Sequence, residues 1–160
     1  MNRLPLLVFS FYLLVSCGSA DKTVFDQTVD IPNATWMRFE PTTFSVDVPN
    51  ADDCYELSVA LDIDTARYRE TALPLIVKIE SEAEKSTGTP GETRTLFATV
   101  MLRPETQDGT LFRQRIREYF YFNRAGTYNV TVGQRTSHYE IPGIRKVGFT
   151  IRKAQLELPK

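Results

Sequence analysis

The chain has 160 residues, with 19 Lys and Arg against 20 Asp and Glu and a formal net charge of −1. That balance argues against nucleic acid or an anionic surface as the main partner, and the length suits one domain with its own core. Two cysteines and one histidine leave no stock for a Cys-x-x-Cys or histidine-rich zinc site within one chain, so neither metal nor cofactor is expected.

Residues 1–16 begin with Arg3, continue as an apolar run from Leu4 to Val15 and close on Ser16, the layout of a secretory signal. The run is about a dozen residues, short of the roughly 20 that span a bilayer. Leu14-Val15-Ser16-Cys17 resembles the lipobox of a bacterial lipoprotein, which implies cleavage before Cys17, a diacylglycerol on its sulfur and acylation of the new amino terminus. Two or more acyl chains hold a protein stably on a membrane where one does not. Gly18, not aspartate, follows Cys17, and by analogy with lipoprotein sorting this favours the outer membrane over the inner. Residues 17–22 are then the lipidated cysteine and a tether reaching about 20 Å. Residues 23–160 are one domain; 160 less the 16 of the signal leaves 144 mature residues, with 18 basic and 20 acidic side chains once Arg3 has gone.

Period-two alternation dominates the domain. Strands are predicted at Thr23–Ile31 and Phe44–Val48. A longer one at Tyr55–Ile63 turns Tyr55, Leu57, Val59, Leu61 and Ile63 one way, and Glu56, Ser58, Ala60, Asp62 and Asp64 the other. Leu73, Leu75, Val77 and Ile79 repeat the pattern, with Pro74 marking a strand start or edge. Thr95–Leu102 is apolar enough on both sides to predict burial of both faces. A brief helical period competes over Thr110–Arg117, and strands return at Arg117–Asn123, Thr127–Val132 and Lys146–Arg152. Turn signals at Pro49-Asn50, Gly88–Gly91, Asp108-Gly109, Ala125-Gly126 and Pro142-Gly143 separate them. About eight strands with evenly spaced turns predict an all-β, two-sheet antiparallel sandwich of jelly-roll type.

Few residues carry chemistry. Cys54, left alone once Cys17 is lipidated, reads as a small hydrophobe before a strand. His138 has Ser137 beside it, which a strand would turn to the opposite face, so no triad is expected and a polar loop residue is. Asp52, Asp53, Asp62 and Asp64 could contribute oxygens to calcium, but a solvated strand face also carries such charges. Asp64-Thr65-Ala66 matches a short O-glycosylation acceptor, which makes Thr65 a candidate. Read as a strand, Arg113–Phe122 sends Arg113, Arg115, Arg117, Tyr119 and Tyr121 to one face, and Ile116, Phe120 and Phe122 to the core. Such an Arg/Tyr stripe offers forked donors and planar rings to a glycan or a protein; the competing reading is an ordinary solvent face. Trp36, the sole tryptophan, reads as core ahead of a sugar platform.

Several landmarks stand in a recognisable order. Cys17 is followed by a strand, Trp36-Met37-Arg38-Phe39, Tyr55-Glu56-Leu57, Leu73-Pro74-Leu75, Gly126-Thr127-Tyr128, Gln134 and Ile141-Pro142-Gly143-Ile144-Arg145-Lys146-Val147-Gly148-Phe149. This order resembles the GldH lipoproteins of Bacteroidetes, a family associated with gliding motility, and the late Gly-Ile-x-x-Val-Gly segment matches best. The resemblance implies a cell-envelope protein, anchored through Cys17, that works by contact and not as an enzyme. Its expected partners are the membrane and an envelope protein, with no nucleic acid. A carbohydrate-binding lipoprotein of a surface glycan system is the alternative; exposed aromatics on a concave sheet face would mark it. A hydrolase would need a deep pocket with paired carboxyls, and nothing in the sequence selects a pair.

Overall fold

Short runs of alternating side chains satisfy their backbone groups by pairing and bury one face of each sheet. The computed structural model describes residues 22–81, 88, 90–102 and 111–155, and among these it forms ten strands. They are β1 (Thr23–Asp30), β2 (Thr35–Met37), β3 (Thr42–Val48), β4 (Tyr55–Ile63), β5 (Ala72–Glu80), β6 (Thr93–Met101), β7 (Leu111–Phe120), β8 (Gly126–Gln134), β9 (Glu140–Pro142) and β10 (Ile144–Lys153). One four-stranded sheet runs β1-β10-β4-β7, the other β3-β8-β5-β6, and β2 pairs with β9 in a small third sheet. All pairings are antiparallel. Counting only the eight long strands, one sheet holds the first, eighth, third and sixth, and the other the second, seventh, fourth and fifth. That is the jelly-roll order, as expected. No helix among the described residues is long and apolar enough to cross a membrane. The signal, Cys17 and most of the tether lie outside the described residues, as does the Asp108-Gly109 turn.

The core lies between the two large sheets. From one come Leu57, Val59, Leu61 and Ile63 of β4 with Val147, Phe149 and Ile151 of β10. From the other come Leu73, Leu75, Val77 and Ile79 of β5, Phe44, Val46 and Val48 of β3, and Tyr128, Val130 and Val132 of β8. Trp36 is fully buried and donates its indole N–H to the Glu40 carbonyl at 3.3 Å, which settles it as core. Cys54 is a buried free thiol.

Three sequence expectations need correction. β6 buries Leu96 and Val100 but exposes Phe97 and Met101 on its outer face, because β6 is an edge strand of a two-layer sandwich and none of the described residues forms a layer outside it. The brief helical period over Thr110–Arg117 is overridden: Leu111–Arg117 lies in β7, where Phe112 and Ile116 reach the core. Strand β7 absorbs two register shifts against β4, and bulges of this kind bend an edge strand and increase its twist. Finally, β4 ends at Ile63, so Asp64 belongs to the following turn, where its side chain accepts the Ala66 N–H at 3.0 Å. Pro74 sits just before the stretch where β5 pairs with β8, so its missing N–H costs that ladder nothing.

One corner ties the sheets together. Glu92 is buried, its carboxylate paired with Arg94 Nε, and it accepts the Tyr128 hydroxyl at 3.1 Å and the Asn123 N–H at 3.2 Å. Arg94, on β6, donates across the sandwich to the Tyr121 carbonyl at 2.9 Å and to Asn123 Oδ1 at 2.6 Å, with its guanidinium 4.9 Å from the Phe120 ring centroid. Burial raises the Tyr128 pKa above that of an ordinary tyrosine.

Candidate functional site

Antiparallel strands gather their connections at the two ends of a sandwich, and binding residues concentrate in such loops. One end is marked by the start of β1 and the end of β10, where Lys153 N–H donates to the Lys22 carbonyl at 2.8 Å and Ala154 N–H to the Cys54 carbonyl at 2.8 Å. This is the tether end. The strands of up to ten residues carry the opposite, distal end about 30 Å away.

The distal end is organised around Gly143. Its carbonyl accepts the Asp64 N–H and its own N–H donates to the Ala34 carbonyl, both at 2.7 Å. Its φ of +95° suits glycine and little else. The segments it joins are the Pro32–Ala34 turn, in which Asn33 and Ala34 are left-handed (φ 55° and 49°), and the Asp64–Tyr68 turn closed by the Tyr68 N–H to the Asp64 carbonyl at 2.9 Å. Tyr68 is buried and donates its hydroxyl to the Ala72 carbonyl at 3.0 Å; burial, with Glu70 adding to it, pushes its pKa up to about 12.

Two clefts flank this turn. One, about 490 Å³, lies between Arg67–Pro74 and Thr136–Pro142 and is lined by Arg67, Arg69, Glu70, His138 and Glu140 among others. The second, about 450 Å³, lies on the other side of Tyr68 and takes in Thr65, Thr71, Leu102 and Phe112. The Thr136–His138 wall is fixed by Gln134: its Oε1 accepts the Thr136 N–H at 2.8 Å and its Nε2 donates to the His138 carbonyl at 3.1 Å.

Exposed aromatic rings carrying arginines stand beside the larger cleft. Phe39 and Tyr139 are 73% and 61% exposed, with ring centroids 5.8 Å apart, and Arg38 lies 5.7 Å from the Phe39 ring. The Arg38 N–H donates to the Tyr139 carbonyl at 2.7 Å, which locks the two loops together. Phe97, 55% exposed, has the Arg135 guanidinium 4.5 Å above its ring, while the Arg135 backbone is held by the Pro74 carbonyl at 2.8 Å. Rings and guanidiniums of this kind dominate the energetics of protein contacts. None of Phe39, Phe97, Arg135 or Tyr139 stands out in the sequence, because the residues come together only in the fold. One signal is present there: Phe97 stands on the threonine face of its strand, where an aromatic has no core to fill.

The residues that the sequence singles out have these places. Arg113, Arg115, Arg117, Tyr119 and Tyr121 are all exposed, as the alternation requires, along edge strand β7 and just past its end. Two of the arginines are occupied: Arg115 pairs with Glu56 at 3.2 Å and Glu118 at 3.3 Å, and Arg117 donates to the Ile116 carbonyl at 3.0 Å. Tyr121 lies against Cys54, and a hydrogen bond between the two raises the tyrosine's pKa. Thr65 is exposed at the rim of the second cleft. His138 is an exposed loop residue. Of the four carboxylates weighed for calcium, Asp62 holds Arg145 at 2.7 Å, Asp53 holds Lys153 at 2.7 Å, and Asp64 accepts the Ala66 N–H. Among the described residues no group of three His, Cys, Asp or Glu is placed to hold a metal ion. Cys17 lies outside the described residues.

The model of a family described as GldH lipoprotein matches residues 23–151. No curated protein matches the chain. Among solved structures, it is similar to a chain of deformed wing virus, a honeybee pathogen, at 10% identity and a TM-score of 0.28, covering 99% of this chain and 61% of that one. It is also similar to turnip yellow mosaic virus at 9% identity and a TM-score of 0.23, covering 100% of this chain and 90% of that one. At these scores the likeness to viral chains carries no argument.

Proposed function

This chain belongs to the GldH lipoprotein family, and from that premise we propose that it acts without catalytic turnover, as a lipid-anchored binding domain of the cell envelope. Cys17 is its lipidation site, the outer membrane its location, and a protein of the same envelope its partner; in a gliding member of Bacteroidetes that partner belongs to the motility apparatus. The observation that carries this reading is the pair of exposed arginine–aromatic clusters, Arg38 with Phe39 and Tyr139 at the distal end, and Arg135 with Phe97 at the middle of β6. Solvent gives such rings nothing, whereas burial in an interface gives a large apolar and cation–π gain.

The test is site-specific photocrosslinking in intact cells from positions 97 and 139, with position 45, on the outer face of β3, as control. Crosslinks to one protein from 97 and 139 but not 45 are expected. The double variant Phe97→Ser, Tyr139→Ser should weaken capture about 30-fold or more, as loss of a hot spot of about 2 kcal/mol requires. Equal crosslinking from all three positions would refute the reading.

A second reading, a carbohydrate-binding lipoprotein, is favoured by the larger cleft, whose mix of Arg67, Arg69, Glu70 and His138 suits a polar saccharide. Retardation on a glycan affinity gel, abolished by Arg69→Ala, separates it from the first.

A further inference from the structure

We propose that the tether end of the sandwich, marked by Lys22, Cys54, Tyr119, Tyr121 and Lys153, is the surface that faces the bilayer, seated on the headgroups of the membrane that holds the protein's own anchor. This seat rests on the proposed lipidation of Cys17. The short stretch between the anchor and the domain limits how the domain can stand. From Cys17 to Lys22 there are five Cα steps, and an extended chain covers at most about 18 Å in that number. Lys22 is not free to follow: its carbonyl accepts the Lys153 N–H at 2.8 Å, and Thr23 pairs with Arg152 at the start of β1. An inverted domain would need the tether to run the length of the sandwich, about 30 Å, as well as to reach the lipid. The chain is too short for that, so the distal end is held away from the membrane.

The chemistry of the tether end suits the position. Tyr119 and Tyr121 are 53% and 50% exposed there, and tyrosine, with an apolar body and a polar tip, is favoured at the level of lipid headgroups. Arg94 donates to the Tyr121 carbonyl at 2.9 Å, which holds the backbone that carries this ring. Most carboxylates at this end already hold a cation: Asp53 with Lys153, Glu56 with Arg115, Glu92 with Arg94. Among the described residues, Lys22, Arg117 and Arg152 stand here with Asp47 and Asp52, a mix of both signs with no strong excess of either. The tether and the tyrosines set the contact, not charge.

Hydroxyl-radical footprinting of the lipidated protein in vesicles of phosphatidylethanolamine and phosphatidylglycerol tests this, with the soluble Cys17→Ala variant as reference. Oxidation of Tyr119 and Tyr121 is expected to fall about fivefold on vesicles, as for side chains drawn into the headgroup layer, while Tyr139 and Phe39 keep the soluble rate. Unchanged oxidation of Tyr119 and Tyr121 in protein that floats with the vesicles overturns the proposed seat and leaves the anchor standing; so does protection at Tyr139 instead. Protein that does not float with the vesicles overturns both the seat and the anchor.

Discussion

Gly143 meets the backbone of Tyr68 so closely that a β-carbon on it would stand 2.9 Å from the Tyr68 nitrogen, 3.0 Å from the Asp64 carbonyl oxygen and 3.1 Å from the Arg67 β-carbon. Two of those atoms are backbone, held by the Asp64–Tyr68 turn, and cannot swing aside. With φ at +95°, Gly143→Ala adds conformational strain to the clash. The expected loss is about 2–3 kcal/mol, seen as a Tm drop of several degrees by calorimetry. Because the same glycine joins the turns beside both clefts, the variant should also impair partner capture.

Glu92 is buried in the corner between β6 and β7, with Arg94, Tyr128 and the Asn123 N–H converging on it. Glu92→Ala leaves the Asn123 N–H without its acceptor and Arg94 without its buried carboxylate, while the Tyr128 hydroxyl keeps the Arg124 carbonyl at 3.0 Å, at a cost of about 2 kcal/mol by urea denaturation. Lys78→Ala should cost well under 1 kcal/mol, since the Lys78–Glu80 pair at 2.7 Å is on the surface.

Alkaline pH should unfold this protein through its tyrosines. Burial raises the pKa of Tyr55, Tyr68 and Tyr128, that of Tyr68 to about 12. A pKa raised on folding means the native state binds the proton more tightly. The stability it contributes is therefore complete below the ordinary tyrosine pKa of 10 and lost as pH rises from 10 through about 12. Urea midpoints should be flat up to pH 10 in respect of these groups and fall above it. Tyr68→Phe should fall less steeply there, while losing about 1 kcal/mol at neutral pH with the hydrogen bond to Ala72.

Tyr121 reports on Cys54. The hydrogen bond between them raises the tyrosine's pKa, so Cys54→Ala should bring the Tyr121 titration, followed by NMR of labelled tyrosine, down towards 10. The buried thiol should also resist alkylation in the folded protein and react on unfolding.

The long strands are legible because each buries one face, so that period two shows directly in Leu57, Val59, Leu61 and Ile63 or Leu73, Leu75, Val77 and Ile79. β2 and β9, three residues each, are too short to show any period. The sandwich class follows from strand count and spacing, whereas the burial of β6 is misread because Phe97 and Met101 look like core residues until the strand is known to lie at an edge. Of the site, the β7 stripe is visible as an alternation. The arginine–aromatic clusters are not, since Arg38 with Phe39 and Tyr139, and Arg135 with Phe97, are drawn from separate loops and strands that only the topology brings together.

Strand β10 is the last of the described strands in chain order, yet it lies between β1 and β4, inside its sheet and not at the edge. A chain complete only to Pro142 therefore has β1 with no neighbour to pair with, and half of the sandwich cannot close. Folding must wait until the last dozen or so described residues are present, and closing pairs such as Thr23 with Arg152 calls for contacts across nearly the whole domain, a topology that folds slowly. A late-stop truncation would remove the middle of a sheet instead of trimming a tail.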